Sequence, residues 1–331
     1  MKIYYHPETF KGEGEWIVDR IGREFKKYSS HNVKLSLDDV DVWDFNLIWL
    51  GASFSWKMLT PNEELLEKIY SVTPVLCTIH HIVPWKWDKD KYNEFMDRDR
   101  FVDMYHVYNE ETEAFVKSMS KKPITVMPHW VNSETWFPLE KEECRDFLNI
   151  DNSNFVIGSF QRDTEGYDLA TPKLEKGPDI FVEICRKLNM DKWNVEVLLG
   201  GSRRQYVIQA LEKLGIKYKY FENTELETVN KMYSACDLYV VSSRCEGGPQ
   251  SLFESSITKT KIISTDVGQA KKILDEKCIY AVDYETGKAL YKIPGNESVE
   301  SNYENILKYD IKNHIKNYDD LMIKTVGEKL K

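Results

Sequence analysis

Glu246 and Glu254 are two carboxylates separated by seven residues, and Gly247-Gly248-Pro249 lies between them. Just before them, Asp237-Leu-Tyr-Val-Val-Ser-Ser243 is a β-branched and aromatic run that reads as a buried strand. The order is therefore strand, glycine turn, helix. Pro249 is expected as the first helical residue, because its missing N–H costs nothing there and its φ is preset. Leu252, Phe253, Ser256 and Ile257 then turn inward, while Gln250 and Glu254 share a helix face. Gly247 and Gly248 let backbone approach a ligand, and the free N–H groups of a helix start favour an anion such as a diphosphate. Gly247, Gly248, Pro249, Gln250 and Ser251 thus form a candidate anion-binding turn. Carboxylates bind phosphate poorly but accept well from hydroxyls. Glu246 and Glu254 would flank the anion, which suits a ligand that is phosphate in the middle and hydroxyl-rich at both ends, the layout of a nucleotide-sugar. On spacing alone the pair equally fits two surface glutamates beside a turn.

Glu-x7-Glu headed by Glu246-Gly-Gly-Pro249 resembles the signature of retaining GT-B glycosyltransferases, in particular glycosyltransferase family four. In that family the first glutamate binds the transferred sugar and the second the ribose, roles that the resemblance carries to Glu246 and Glu254. It also implies two Rossmann-like parallel-sheet domains facing each other across a cleft, with a C-terminal helix crossing back to the first.

The elements that must position this turn fit such a plan. Lys2–His6, Val33–Leu37, Asn46–Gly51, Val75–His80, Met104–Tyr108 and Ile124–Pro128 read as strands, with helical stretches such as Glu15–Phe25 and Glu63–Tyr70 between some of them. Alternation of this kind implies a parallel sheet that binds ligands beyond its strand C-termini. After the first strand, Gly12 and Gly14 could let backbone approach a phosphate, and the family has a glycine loop facing the donor diphosphate there. His80, at a strand end, would point into the ligand crevice. The family often places a histidine at this point, near the reacting sugar and acceptor, so that role is carried to His80 and then to His81; a pair of partly satisfied loop histidines is the competing reading. Most tryptophans of the first half are expected in the core. Trp85 and Trp87, in a Lys/Asp-rich loop, are the candidate platforms for an acceptor sugar.

Pro128-His-Trp-Val-Asn132, followed by Phe137-Pro138, has the frame of the family's connector but lacks its Asn-Gly pair. The second half restarts with the strand Phe155–Phe160 and then Gln161-Arg162. Gly177-Pro178 opens a helix with Ile180, Phe181, Ile184, Cys185 and Leu188 on one face. Arg162 and Lys176 resemble the family's diphosphate pair, separated here by a longer loop than usual; such cations offset the charge that grows as the nucleotide leaves. Gly201, in Gly200-Gly201, fits the family's glycine turn near the nucleotide, or a plain structural turn equally well. Lys261–Thr265 and Ile279–Val282 read as the last strands, and the tail from Val299 is helical.

Composition narrows the alternatives. The balance of 45 − 54 = −9 charges argues against a nucleic-acid groove. Six scattered cysteines, with no C-x-x-C pair, read as reduced and buried thiols. Met1–His6 reads as a strand rather than a signal peptide, and no apolar run has the length of a membrane span, so a cytoplasmic protein with at most peripheral membrane contact is expected. The expected domains are 1–138 for the acceptor, 139–298 for the donor and a returning helical segment at 299–331. The resemblance implies transfer of a sugar, hexosyl or related, from a nucleotide-diphosphate-sugar to a hydroxyl of a glycan, lipid or small molecule. It further implies retention of configuration, no metal and no cofactor, with Arg162, Lys176, Glu246 and His80 as the catalytic set. The alternatives are a nucleotide-sugar-binding protein without turnover, an epimerase or phosphorylase on the same fold, and a metal-dependent GT-A enzyme. The last rests on Asp39-Val-Asp41, Asp88-Lys-Asp90 and Asp97-Arg-Asp99.

Overall fold

In the computed structural model, which describes residues 1–9, 16–36, 42–60, 62–191 and 193–330, the strand and helix patterns build two parallel sheets. Contacts divide the chain into two compact units, Met1–Trp130 with Ile311–Lys331, and Val131–Asp310. The chain changes unit at 130 and 310 rather than at 138 and 298. The cause is that Val131, Trp136 and Ile306 pack into the second unit's core and the Val131 N–H donates to the Tyr309 carbonyl at 2.9 Å.

The first unit holds β1 (Lys2–His6), β2 (Asn32–Lys34), β3 (Leu47–Leu50), β4 (Val75–Ile79), β5 (Met104–Val107) and β6 (Ile124–Val126) in the order β2-β1-β3-β4-β5-β6. β3, β4 and β5 are buried along their whole length, as strands covered on both faces must be. The connecting helices are α1 (Ile17–Tyr28), α2 (Glu63–Val72), α3 (Lys89–Asp99) and α4 (Glu110–Lys117). Side chains of Asn62, Asp88 and Asn109 cap the starts of α2, α3 and α4 by accepting from backbone N–H groups at 3.0, 2.9 and 2.7 Å. On one face Trp49 meets Tyr5 and Phe25 edge-on, with centroids 4.8 and 5.0 Å apart. The C-terminal helix Ile311–Lys329 adds Ile311, Ile315, Tyr318, Leu321 and Met322 to the same core, so the tail returns to the first unit as the pattern implies. Its Asp319 takes the hydroxyls of Ser29 and Ser30 at 2.6 and 2.7 Å, tying the helix to the α1–β2 turn.

The second unit holds β7 (Phe155–Ser159), β8 (Val195–Gly200), β9 (Lys217–Phe221), β10 (Leu238–Val241) and β11 (Ile262–Ser264) in the order β11-β10-β7-β8-β9. Its helices are α5 (Lys141–Phe147), α6 (Pro178–Met190), α7 (Gln205–Leu214), α8 (Leu226–Ala235), α9 (Gln250–Ile257), α10 (Ala270–Ile273) and α11 (Asn296–Ile306); the C-terminal helix is then α12. The expected last strand, Ile279–Val282, does not join the sheet as a strand. Ile279 makes one bridge to Ser264, and Ala281–Asp283 (β12) turns away to pair antiparallel with Lys288–Leu290 (β13).

Candidate active site

Strand order fixes where the second unit can bind a ligand. The chain runs outward from β7 through β8 to β9, then comes back to β10 on the other side of β7. Loops after β7 and β10 therefore diverge at one point, the crevice where open parallel sheets take their ligands. Lys176 comes from the first of these loops and Glu246 from the second. Their Nζ and Oε1 atoms lie 2.5 Å apart, with the Lys176 side chain 19% and the Glu246 side chain 7% exposed. The Ser243 hydroxyl donates to the same carboxylate oxygen at 3.0 Å.

Several bonds hold this pair in place. The Lys176 carbonyl accepts from Gln161 Nε2 at 2.8 Å and from the Ser242 hydroxyl at 3.1 Å. Gly177 has φ +60°, and a Cβ there would lie 1.8 Å from the Ser242 carbonyl oxygen, so only glycine permits this approach. Arg244 forks onto Asp179 at 2.8 and 2.6 Å and donates to the Leu174 carbonyl at 2.9 Å. This clamp, at the N-terminus of α6, escapes sequence reading because Arg244 and Asp179 are far apart in the chain.

Arg162 reaches the same region through a folded detour. Thr164 bridges Pro172, and the Lys173 N–H donates to the Asp163 carbonyl at 2.8 Å, so the long loop closes on itself and brings Arg162 back towards Lys173. Arg162 Nε donates to the Thr164 carbonyl at 3.0 Å. Burial, and next the charge of Arg203, lower the pKa of Arg162; burial, and next Lys176, lower that of Lys173. Lys173 and Arg203 thus join the two expected cations. Arg203 has φ +61° and donates to the Gly166 carbonyl, a contact visible only once the loop is folded. Beneath the cluster, Arg204 is 1% exposed, pairs with Asp163 at 3.0 Å and donates to the Ser159 and Gly200 carbonyls. Burial raises the Asp163 pKa against the pull of that arginine.

Gly201 has φ +81°, and its Cβ position lies 3.2 Å from the Phe160 carbonyl oxygen; backbone proximity beneath the Arg162 loop is reason enough for glycine there. Gly268, at φ +57°, plays the same part against Gly247 and Gly248, where a Cβ would come within 2.8 Å of the Gly247 carbonyl oxygen. Pro249 occupies the cap position, φ −60°, one residue before the helical start at Gln250. Ser251 lies in the first turn of α9 and Glu254 in its last half. Glu254 is buried and accepts from the Tyr233 hydroxyl at 2.8 Å; burial, and next this carboxylate, push the Tyr233 pKa well up.

In the first unit His80 follows β4, and its Nε2 donates to the Gly51 carbonyl at 2.9 Å, leaving Nδ1 as the basic nitrogen. Burial pulls its pKa down to about 4. The rings of Tyr108 and His129 stack with centroids 3.5 Å apart, and those of His80 and His129 lie 6.2 Å apart. His106 accepts from Thr78 Oγ1 at 3.0 Å and donates to the Met127 carbonyl at 3.1 Å, while Trp49 Nε1 donates to the same Thr78 oxygen at 2.8 Å. The sequence points to His80 and His81 alone, because His106 comes from β5 and His129 from the segment after β6. His81 is half-buried beside His80. Trp85 is 57% exposed, but Trp87 is not the exposed platform expected: its ring packs edge-on against Phe95 and Phe115, which draw it into the core. Gly12 and Gly14 lie outside the described residues. The loop leading to them is pinned by buried Asp19, which accepts from the Glu8 and Thr9 N–H groups at 2.9 and 3.1 Å.

The Asp-x-Asp pairs have structural work where they are described. Asp99 accepts from Tyr105 and Ser120 at 3.0 and 2.6 Å, and Asp88 caps α3. Asp39 and Asp41 lie outside the described residues. Among the described residues no group of three His, Cys, Asp or Glu is placed to hold a metal ion.

Residues 169–290 match the model of a family described as glycosyl transferases group 1. That segment carries Lys176, Glu246 and Glu254 and spans little more than a third of the chain. No curated protein sequence matches the chain. Among solved structures it is similar to a sucrose-phosphate synthase from Thermosynechococcus elongatus, at 12% identity and TM-score 0.73 over 99% of both chains. It is also similar to Anabaena HepE in complex with UDP-glucose, at 15% identity and TM-score 0.65 over 100% of this chain and 97% of that one. A glycosyltransferase from Rickettsia africae matches at 12% identity and TM-score 0.65 over 100% and 98%. At these identities the likeness establishes the fold: two Rossmann-like parallel-sheet units of six and five strands, as in GT-B glycosyltransferases.

Proposed function

We propose that this chain is a glycosyltransferase that moves a sugar, hexosyl or related, from a nucleotide-diphosphate-sugar to an acceptor hydroxyl, with retention of configuration and without a metal. The observation that carries this reading is the Lys176–Glu246 pair at the point where the second sheet reverses, with Arg162, Lys173 and Arg203 gathered beside it. The match to glycosyl transferases group 1 and the UDP-sugar complex of a structural neighbour support it.

In this reading the donor diphosphate lies against Arg162, Lys176 and the start of α9, with Gly201, Gly247, Gly248, Pro249, Gln250 and Ser251 around it. Glu246 accepts hydrogen bonds from hydroxyls of the sugar, and Glu254 from those of the ribose. As the sugar–phosphate bond lengthens, positive charge grows on the sugar and negative charge on the leaving phosphate. Fixed cations act most strongly where charge develops, so Arg162 and Lys176 favour the stretched state over the ground state. The acceptor hydroxyl attacks from the face that the phosphate leaves and gives its proton to the departing phosphate oxygen. No protein nucleophile takes part. His80, neutral and fixed by its bond to Gly51, is assigned to the acceptor side of the first unit with His81 and Trp85. The acceptor is a glycan, lipid or small molecule carrying a hydroxyl. Six buried free thiols agree with a cytoplasmic enzyme, and no described helix is long and apolar enough to cross a membrane.

The test is thermal stabilisation by UDP, GDP, ADP and CMP and their sugars, with and without EDTA, on the wild type, Arg162→Ala and Glu254→Ala. Ligands that bind the native state raise its melting point by mass action. One nucleotide should shift the wild type in EDTA, with most of the shift lost in both variants. A folded wild type that responds to none would overturn the reading.

A further inference from the structure

The second unit has a second concave site at the opposite end of its sheet. Residues that lead into β10 and β11, rather than those that follow them, line a cavity of about 300 Å³, so it is separate from the Lys176–Glu246 crevice. Lys141, Lys259 and Lys261 stand on its wall, against the single lining carboxylate of Glu300. Lys259 is paired with Glu300 at 2.7 Å and Lys141 with Asp237 at 3.0 Å, but Asp237 also serves Arg145 at 2.5 Å. Lys261 has no ion pair among the described residues.

Two further features point the same way. Ser234, on the cavity wall, is 7% exposed, and its hydroxyl has no hydrogen-bond partner among the described residues. A buried hydroxyl left unmatched is a cost that a ligand can remove. Asn296, at the first position of α11, also lines the cavity, and the helix start has no side-chain cap. Its first-turn N–H groups favour negative charge, although Glu297 folds back over Gly295 and pairs with Lys277 at 3.5 Å. The end of α9 reaches the same cavity, and three of its last carbonyls are engaged. Those of Glu254, Ser255 and Ser256 are already taken by the N–H groups of Thr258, Thr260 and Lys259 at 3.1, 2.9 and 3.2 Å.

We propose that this cavity, floored by Ser234 and ringed by Lys261, Lys259 and Lys141, binds a small phosphate monoester. Three lysines supply the charge for a phosphoryl group, Ser234 and the α11 start supply hydrogen-bond donors, and the volume suits a metabolite of a few carbons, at the small end of ligand pockets. The site does not depend on the nucleotide-sugar reading.

The experiment is calorimetric titration with glycerol 3-phosphate and with inorganic phosphate, at constant ionic strength, on the wild type, Lys261→Gln, Ser234→Ala and Arg162→Ala. Glycerol 3-phosphate should bind the wild type and Arg162→Ala alike, and at least tenfold more weakly to Lys261→Gln. Ser234→Ala should leave the free protein as stable as before or more so, yet bind several-fold more weakly, a combination that a merely structural serine would not give. Inorganic phosphate should bind more weakly than the ester; if it binds as tightly, the assignment of the cavity to a phosphate monoester is overturned. The proposal is overturned if neither ligand binds, if Lys261→Gln and Ser234→Ala bind like the wild type, or if Arg162→Ala abolishes binding, which would place the phosphate in the first crevice.

Discussion

At the strand ends of the second unit, Lys176 pairs with the carboxylate of Glu246 while Lys173, Arg162 and Arg203 follow one another beside it, and burial lowers the pKa of Arg162 and of Lys173 without removing their charge. At those of the first unit, His80, His106 and His129 lie around Tyr108 as uncharged rings, held by one hydrogen bond at His80, two at His106 and stacking at His129. Both regions occupy the edge where parallel sheets bind ligands, and both are substantially buried. The difference is one of chemistry. A guanidinium keeps its proton when desolvated and needs a carboxylate or an incoming phosphate nearby, whereas a desolvated imidazole gives its proton up. The charged region is suited to an anion, and the neutral one to an uncharged polar group.

Breaking the charged side should have the largest effect. Arg204→Leu leaves Asp163 buried without its partner and frees the Ser159 and Gly200 carbonyls, so urea unfolding should show a loss of about 3–5 kcal/mol. If the loss is under about 1 kcal/mol, Arg204 does not hold the cation loop. On the proposed reading Lys176→Met removes charge where the phosphate would leave, and kcat/KM with the matched donor should fall about 10²–10³-fold; the melting point should fall too, because the nearly buried Glu246 carboxylate loses its cation. An unchanged kcat would remove Lys176 from the chemistry. Tyr233→Phe deprives Glu254 of a buried donor and should cost roughly 1–3 kcal/mol, read by the same unfolding curves.

The neutral side answers to pH instead. His80 and His106 have pKa values lowered to about 4 and about 3 by burial, and His129 lies well below its ordinary value for the same reason. An unfolded histidine takes up its proton near pH 6.5, the folded ones only at much lower pH. Their contribution is therefore fully present above about pH 6.5 and is lost as pH falls towards 4, by up to about 1.4 kcal/mol per pH unit for each ring. His106 shows why: it accepts from Thr78 with one nitrogen while donating to Met127 with the other, and a second proton would break the Thr78 bond. Acid unfolding followed by tryptophan fluorescence should steepen between pH 6 and 5, and His106→Gln should flatten it by one ring's share. A flat profile over that range would mean that the rings are not buried as described.

Much of the scaffold was legible because strand and helix patterns are local. The runs that become β4 and β10 are continuous apolar or β-branched stretches, and those of β1, β7 and β8 are largely so. Glu246 and Glu254 could be singled out because their spacing sits on a strand-turn-helix whose geometry follows from sequence, and Lys176 because its Lys-Gly before a helix resembles a family motif. Lys173 and Arg203 could not, since their approach to Arg162 depends on the 163–173 loop closing through Thr164 and Pro172. Neither could the Arg244–Asp179 clamp or the histidine cluster, each built from distant segments that only the folded sheets bring together. Trp87 was misread because a polar neighbourhood in sequence says little about which way one ring turns. The hairpin of β12 and β13 was misread because a short β-branched run does not declare its partner.

The most direct test of the central claim is a crystal structure of the protein with the nucleotide-sugar that the thermal panel selects. The diphosphate should lie against Lys176 and Arg162 at the start of α9, with sugar hydroxyls on Glu246 and ribose hydroxyls on Glu254. A nucleotide bound elsewhere, with the Lys176–Glu246 pair unchanged and free of contact to it, would contradict the account.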